Sequence, residues 1–308
     1  MLLAVDVGNT SIAAGVFRGR RLISSGRIPT GKLRWAGRRP ASAKQSARAL
    51  RALLRTLRVS AGDLQGVIIS SVVPQVTGPL VRAVRAVGLP RPQVLGRDLQ
   101  APVVNRYRIP SQVGQDRLVN AAAARFLYKG PAIVVDFGTA VTIDLVNGRG
   151  EYRGGMIVPG LEISLEALAT RTALLPRIPL APPREFLGRD TRSSMASGLF
   201  FGFGALCDGL VRRLKAQYAP RAVVIATGGH AGLIAPFCRT IQKVNTNLTL
   251  QGLALTHEKN CYNCRPVRDL RKEAEALGIR NPGRLNKNAL IEAICDALEK
   301  PPKRRKSF

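Results

Sequence analysis

The sequence predicts an α/β protein of two similar halves that face each other across a cleft, followed by a small α-helical addition. Three observations lead there. The stretch Val134-Val135-Asp136-Phe137-Gly138-Thr139-Ala140-Val141-Thr142-Ile143-Asp144 brings a carboxylate to the end of an apolar β-branched run, then a glycine, threonines and a second apolar run. The chain opens on the same device, Leu2-Leu3-Ala4-Val5-Asp6-Val7-Gly8-Asn9-Thr10-Ser11-Ile12. Each copy then continues into an apolar strand, a tight turn (Arg18-Gly19-Arg20 or Asn147-Gly148-Arg149) and a third strand. Asn-Gly between apolar runs marks a hairpin. After the first copy the pattern alternates helix, strand, helix, strand, which calls for a mixed sheet covered by helices. A repeat of this size gives paired domains with a cleft between them.

The elements follow in order. Residues 1–27 read as three antiparallel strands, and 29–40 as a basic loop holding the only tryptophan, Trp35. A helix is predicted over 41–57, with Leu50, Leu53, Leu54 and Leu57 at helical spacing and its Arg and Lys residues on the outer face. A strand over 66–73, a helix over 76–87 and a strand over 93–95 complete the first half. Gly114 then precedes an alanine-rich helix over 118–127, which puts Asp116 and Arg117 in its first turn. In the second half, residues 154–160 read as a glycine-rich turn before a helix over 161–169. A proline-rich loop over 175–187 leads to a helix opened by Thr191 and rich in glycine, which suggests close packing. A strand over 222–226 runs into Thr227-Gly228-Gly229-His230, a second place for a nucleotide to rest. His230 alone reads more readily as a structural or capping residue than as a catalyst. The segment 245–259 closes on a last helix. Two short amphipathic helices over 267–277 and 288–298 follow, then a basic tail, 301–308, of disordered composition.

Composition narrows the function classes. With 308 residues and 45% hydrophobic content, two domains can each bury a core. The start reaches Asp6 without a basic region, so it does not read as a signal peptide. No apolar run reads as long enough to span a bilayer, and a cytoplasmic location follows by default. Five scattered cysteines read as free thiols. Cys261-Tyr262-Asn263-Cys264 is a single C-x-x-C near His257, short of the four ligands zinc takes. The net charge is +29, and residues 261–308 hold only 12 of the 48 Lys and Arg, so the excess is spread over the chain. Such a field draws polyanions, including nucleic acid, but arginine-biased composition on a solvated surface is the simpler reading.

The acids are few, and Asp6, Asp116, Asp136 and Asp144 all fall within glycine- or threonine-containing motifs. Glycine lets backbone approach a phosphate, threonine hydroxyls bind its oxygens, and a carboxylate holds a cation beside it. Asp116 in a first helical turn suits the helix dipole. It suits equally a general base in a cleft, beside an arginine that grips an anion. Spacing leaves both open.

Asp6-Val7-Gly8-Asn9-Thr10, Ser70-Ser71-Val72-Val73-Pro74, Gly114-Gln115-Asp116-Arg117, Asp136-Phe137-Gly138-Thr139-Ala140, Gly188-Arg189-Asp190-Thr191, Thr227-Gly228-Gly229-His230 and Leu248-Thr249-Leu250-Gln251-Gly252-Leu253 form an ordered set. With it the chain resembles, over roughly residues 1–259, type III pantothenate kinase. The resemblance implies two RNase H-like domains of the actin/sugar-kinase/acetate-kinase superfamily, at 1–115 and 116–260, and a homodimer. It implies ATP-dependent phosphorylation of pantothenate, the first step of coenzyme A synthesis. Asp6, Val7, Gly8, Asn9, Thr10, Ser11, Ile12 and Ala13 would wrap the ATP phosphates, with Asp6 near Mg2+ and Thr139 touching ATP. Asp116 would accept the proton of the substrate hydroxyl. Tyr107, Gly114, Gln115, Asp116, Arg117 and Thr191 would bind pantothenate, and Asp136 a monovalent cation, K+ or NH4+.

The chain departs from that family at Gln115, often alanine there, and at Arg189, often lysine. Residues 261–308 extend past its usual end. That extension resembles the small helical SAP or Rho-N-like modules that bind nucleic acid; an accessory hairpin packed on the kinase or its dimer partner is the alternative. Two other functions stay open: a sugar or acetate kinase, although the Cys-rich zinc motif of repressor-related sugar kinases is missing, and a nucleic-acid-binding regulator built on the kinase fold.

Overall fold

The computed structural model describes residues 1–32, 43–263 and 266–299. Trp35, Cys264 and the tail 301–308 lie outside the described residues. Residues up to Ala254 form one compact unit, and a second begins at Leu255.

The first unit holds two sheets. β1 (Leu2–Val7), β2 (Ser11–Arg18) and β3 (Arg21–Pro29) form an antiparallel meander. α1 (Ala43–Thr56) follows. β4 (Gly66–Ser71) then lies parallel to β1, and after α2 (Pro74–Ala86) β5 (Gln93–Val94) lies parallel to β4. The sheet order is β3-β2-β1-β4-β5. The leucines foreseen on α1 are buried against the sheet. Arg58, in the left-handed region at φ +54°, ends that helix.

The second sheet repeats this plan. It runs β11-β10-β7-β8-β9-β6. Its strands are β6 (Val104–Asn105), β7 (Ala132–Phe137), β8 (Ala140–Val146), β9 (Glu151–Pro159), β10 (Val223–Thr227) and β11 (Lys243–Val244). Read from β9 to β11, the order matches the first sheet, and β6 adds an edge strand parallel to β9. Even the irregularities match: register shifts at Val16/Phe17 in one meander and at Leu145/Val146 in the other. The helices are α3 (Gln115–Tyr128), α4 (Leu161–Arg171), α5 (Thr191–Tyr218), α6 (Ala231–Ile234) and α7 (Leu248–Asn263).

Two expectations are corrected. Residues 154–160 are not a turn. Up to Pro159 they belong to β9, paired with β8. A Cβ on Gly155 would lie 2.3 Å from the Ile143 carbonyl oxygen and 2.9 Å from the Arg117 guanidinium, so this glycine serves close approach within a strand. The second correction concerns membrane length. α5 has the length and apolarity to cross a bilayer, but Phe200, Cys207 and Val211 are buried in the core of the second half, and Arg212, Arg213 and Lys215 crowd its end. Asp190 caps α5 by accepting from the Ser193 N–H at 2.9 Å. The foreseen close packing of α5 is realised at Gly204, where a Cβ would meet the Phe237 carbonyl oxygen.

In the second unit, α8 (Val267–Ala276) and α9 (Lys287–Glu299) pack through Leu270, Ala274, Leu290, Ile291 and Ile294. This is the helix pair read from the sequence.

Candidate active site in the cleft between the two sheets

Each meander delivers an aspartate to the C-terminal end of its first strand. Asp6 stands opposite Ala13 on β2 and Ser70 on β4; Asp136 stands opposite Thr142 on β8 and Thr227 on β10. The turns after them meet. The hydroxyls of Thr10 and Thr139 lie 2.8 Å apart, a hydrogen bond from one half to the other. Between the turns opens a cleft of about 360 Å3, lined by Asp6, Gly8, Asn9, Thr10, Ser11, Ala13, Asp116, Asp136 and Thr139, among others. Val7 and Ile12, also expected at the phosphates, are buried partners across the β1–β2 hairpin and brace the turn from behind.

Asp116 enters the cleft from the first turn of α3. Its Oδ1 accepts the Arg117 backbone N–H at 2.8 Å. The helix begins after Gly114, and a Cβ there would lie 2.4 Å from that Oδ1. Glycine before the helix is what gives the carboxyl room to fold over the helix start.

The three carboxyls keep some surface open to the cleft but are enclosed by protein. Loss of hydration, then repulsion from Asp116, pushes Asp6 up to about 7. The same two causes push Asp136 up to about 7, against a hydrogen bond from Asn120. Burial also raises Asp116, against the Arg117 N–H. Asn120 Nδ2 donates to Asp136 Oδ2 at 3.0 Å and is itself held by Thr249 Oγ1 at 2.8 Å. Neither supporting residue stood out in the sequence.

Arg27 was missed as well. Among the residues lining the cleft it is the single Lys or Arg. On β3 it stands opposite Ala13, itself opposite Asp6, so one small residue separates the cation from the carboxylate. Its charge lowers both Asp6 and Asp136, and its Nη2 reaches the Thr246 carbonyl at 3.4 Å. The register across three strands was the signal that could have singled it out.

Arg117 is not a free anion grip. Its Nε and Nη2 both donate to Asp144 Oδ1, at 2.9 and 2.6 Å, and the pair is buried. Tyr152 donates its hydroxyl to the same oxygen at 2.9 Å, and Tyr107 stacks at a tilt on Tyr152 with centroids 6.2 Å apart. Tyr107, Gly114 and Arg117 therefore form a shell behind Asp116. Gln115 turns away and packs against Gly96. Thr191 is exposed at the start of α5, away from the cleft lining. His230 caps α6, donates its N–H to the Phe137 carbonyl, and places Nε2 3.5 Å from Glu162 at the cleft edge. Cys261 Sγ lies 3.7 Å from His257 Nε2. Among the described residues no three His, Cys, Asp or Glu side chains converge on a metal position.

The arrangement suits phosphoryl transfer: glycine- and threonine-bearing turns from two sheets, one cation, and three carboxyls raised by burial, Asp6 and Asp136 to about 7. Residues 2–213 match the type III pantothenate kinase family, and residues 265–302 match the N-terminal domain of Rho termination factor. The type III pantothenate kinase of Moorella thermoacetica is 40% identical over 260 residues, covering 84% of this chain and 100% of the relative. That of Geobacter sulfurreducens is 42% identical over 260 residues, covering 84% and 99%. A conserved protein of the Baf family from Campylobacter jejuni shares the fold at TM-score 0.53 and 15% identity, over 84% of this chain and 98% of that one. The two sheets share one mixed plan, and the chain belongs to the type III pantothenate kinase family.

Proposed function

We propose that this chain transfers the terminal phosphoryl group of ATP to the primary hydroxyl of pantothenate, giving 4'-phosphopantothenate for coenzyme A synthesis. One observation carries most of the weight: Asp6, Asp116 and Asp136, from three separate elements, line a single cleft whose two phosphate-type turns touch through Thr10 and Thr139. Asp116 takes the hydroxyl proton as the oxygen attacks the terminal phosphorus and ADP departs. A carboxyl raised by burial holds that proton more readily than a solvated one. The turns at Asp6 to Ala13 and at Thr139 hold the phosphates, and Arg27 offsets their charge. Pantothenate lies against Asp116, with Tyr107, Gly114 and Arg117 shaping the wall behind it; Gln115 and Thr191, which do not line the cleft, would contribute from outside it. Because Arg117 is already paired with Asp144, its part is to set the helix start and the Tyr152 wall rather than to meet the substrate carboxylate alone.

Mg2+ commonly binds through one or two carboxylates plus substrate phosphates. Asp6 fits that role, since a carboxyl raised to about 7 by burial and by the neighbouring Asp116 is relieved by a cation. Asp136, equally raised, fits a monovalent cation, K+ or NH4+. Bound there, the cations would neutralise charge on the phosphates. The domain division is 1–115 and 116–260, with β6 an edge strand lent to the second sheet. The enzyme is a cytoplasmic homodimer, and residues 261–308 form a nucleic-acid-binding addition, as the match at 265–302 supports.

The test is an assay of purified protein with ATP, Mg2+, K+ and pantothenate, beside a panel of hexoses and acetate. Phosphopantothenate that requires pantothenate and responds to K+ is expected. Turnover of a hexose or acetate instead, or no transfer at all, overturns the proposal.

A further inference from the structure

From residue 7 to residue 62 the chain carries thirteen Lys and Arg residues and not one Asp or Glu, against 48 and 19 in the whole chain. In the fold, part of this run becomes an ordered surface. Lys44, Arg48, Arg51 and Arg55 sit on α1 at i, i+4, i+7 and i+11, which is one side of a helix, and all four are exposed. They span about 16 Å at 1.5 Å rise per residue. Arg58 stands exposed just beyond. Among the described residues none of the four helical cations takes part in an ion pair. They edge a groove of about 660 Å3 floored by Leu54, Val59, Ala61 and Val87.

We infer that this face of α1 binds the sugar–phosphate backbone of nucleic acid. A regular row of cations meets a regular row of phosphates, and arginine forks suit phosphate oxygens. A membrane surface fits less well. An interfacial helix needs an apolar face to bury in lipid, and Leu50, Leu53, Leu54 and Leu57 are already spent in the protein core. The floor of the groove is recessed among the cations and offers bases little to stack on, so contact is with the backbone and carries no sequence preference. The inference does not rest on the C-terminal segment, and it does not touch the cleft, whose lining shares no residue with this groove.

The experiment uses the full chain and a labelled single strand of about 20 nucleotides, with anisotropy read from about 50 to 200 mM salt. Three variants are compared with the parent: Lys44→Ala/Arg48→Ala/Arg51→Ala/Arg55→Ala; a control with Arg91, Arg177, Arg184 and Arg221 changed to Ala; and a C-terminal set with Arg268, Arg271, Lys272 and Arg280 changed to Ala. The α1 variant should bind at least tenfold more weakly at about 150 mM salt and lose about 3 from the slope of log affinity against log salt, at roughly 0.7 per phosphate. The control should lose much less, and phosphoryl transfer by the α1 variant should equal the parent's. Equal losses in the α1 and control variants would mean general charge alone and overturn the inference. So would losses confined to the C-terminal set, or binding of phosphatidylserine vesicles that falls with the α1 cations while oligonucleotide binding stays.

Discussion

The two meanders began as one plan, and lining up their registers shows where they part. In the first, Ser70, Asp6, Ala13 and Arg27 form a row across four strands; in the second the row is Thr227, Asp136, Thr142 and Ile157. Both rows keep a hydroxyl beside the aspartate. Only the first ends in a cation, so the charge that offsets phosphate comes from one side of the cleft. A second difference lies one strand inward. Gly15, opposite Ala4, matches Asp144, opposite Val134. The glycine is packed by Leu22, Phe17 and Leu250, whereas Asp144 carries Arg117 and Tyr152. The repeat thus supplies the aspartate-and-turn device twice. Substitution at matched positions left Arg27 on one half and the buried Asp144, Arg117 and Tyr152 cluster behind Asp116 on the other; on the proposed function, the first is the phosphate side and the second shapes the acceptor pocket.

The largest effect separating these roles belongs to Asp116, which has no counterpart in the repeat. Asp116→Asn keeps the shape and removes the proton acceptor. Turnover should fall by about 10²- to 10⁴-fold with the KM for ATP little changed. Turnover within a few-fold of the parent would return Asp116 to a structural role at the helix start.

Asp144 comes next. Asp144→Ala leaves the Arg117 guanidinium buried without its counter-charge, and loss of one partner of such a pair costs about 3–5 kcal/mol. Gly15→Ala, the matched change in the first half, must move the ends of Leu22 and Leu250 and ease the Phe17 ring aside but strands no charge, so it should cost less. Thermal melts of the two variants test the asymmetry directly. Equal shifts would mean the Arg117–Asp144 pair is not what stiffens the second half.

Much of this layout could be read from residue order. The repeat, the three aspartates and the α1 leucines follow from patterns that local chemistry enforces. What could not be read depends on strand register or on distant partners. Arg27 is one of 48 basic residues until pairing places it one residue from Asp6. Asn120 and Thr249 look like ordinary helix residues until α3 and α7 bring them to Asp136. Gly154 and Gly155 read as a turn because the reasons for glycine there are tertiary: a φ of +123° beside Tyr107 at the first, and Asp144 and Arg117 at the second. α5 has the length and apolarity of a membrane span, yet Leu199, Phe200, Cys207 and Val211 on it are spent on the second core.

A smaller effect follows from the raised carboxyls. Asp6 and Asp136 hold protons in the folded protein up to about pH 7, whereas unfolded they release them near their ordinary value of 3.8. The folded state is therefore favoured at low pH by these groups, and that contribution is lost as pH rises from about 4 to about 7. Without K+ or Mg2+, the melting temperature should fall across this window, and Asp136→Asn should flatten part of the fall. Added K+ should recover more at about pH 7.5 than at about pH 5, because it competes with protons for the same oxygens. A parent and an Asp136→Asn variant with identical pH profiles would remove Asp136 from the account.

The smallest effect is the most direct probe of the cleft's closure. Thr10 and Thr139 touch across the two halves through their hydroxyls. In water-exposed surroundings their bond should add at most about 1 kcal/mol to stability. A double-mutant cycle of Thr10→Val and Thr139→Val, read by denaturant melts, should return a coupling of that size without nucleotide. With ATP present the two hydroxyls have phosphate oxygens to serve, so each single change should weaken nucleotide binding by more than it weakens the fold, and the coupling between them should shrink. If the coupling instead persisted or grew with ATP, the threonines would be a clasp between the domains, and the phosphates would have to be held by the turn backbones and Arg27 alone.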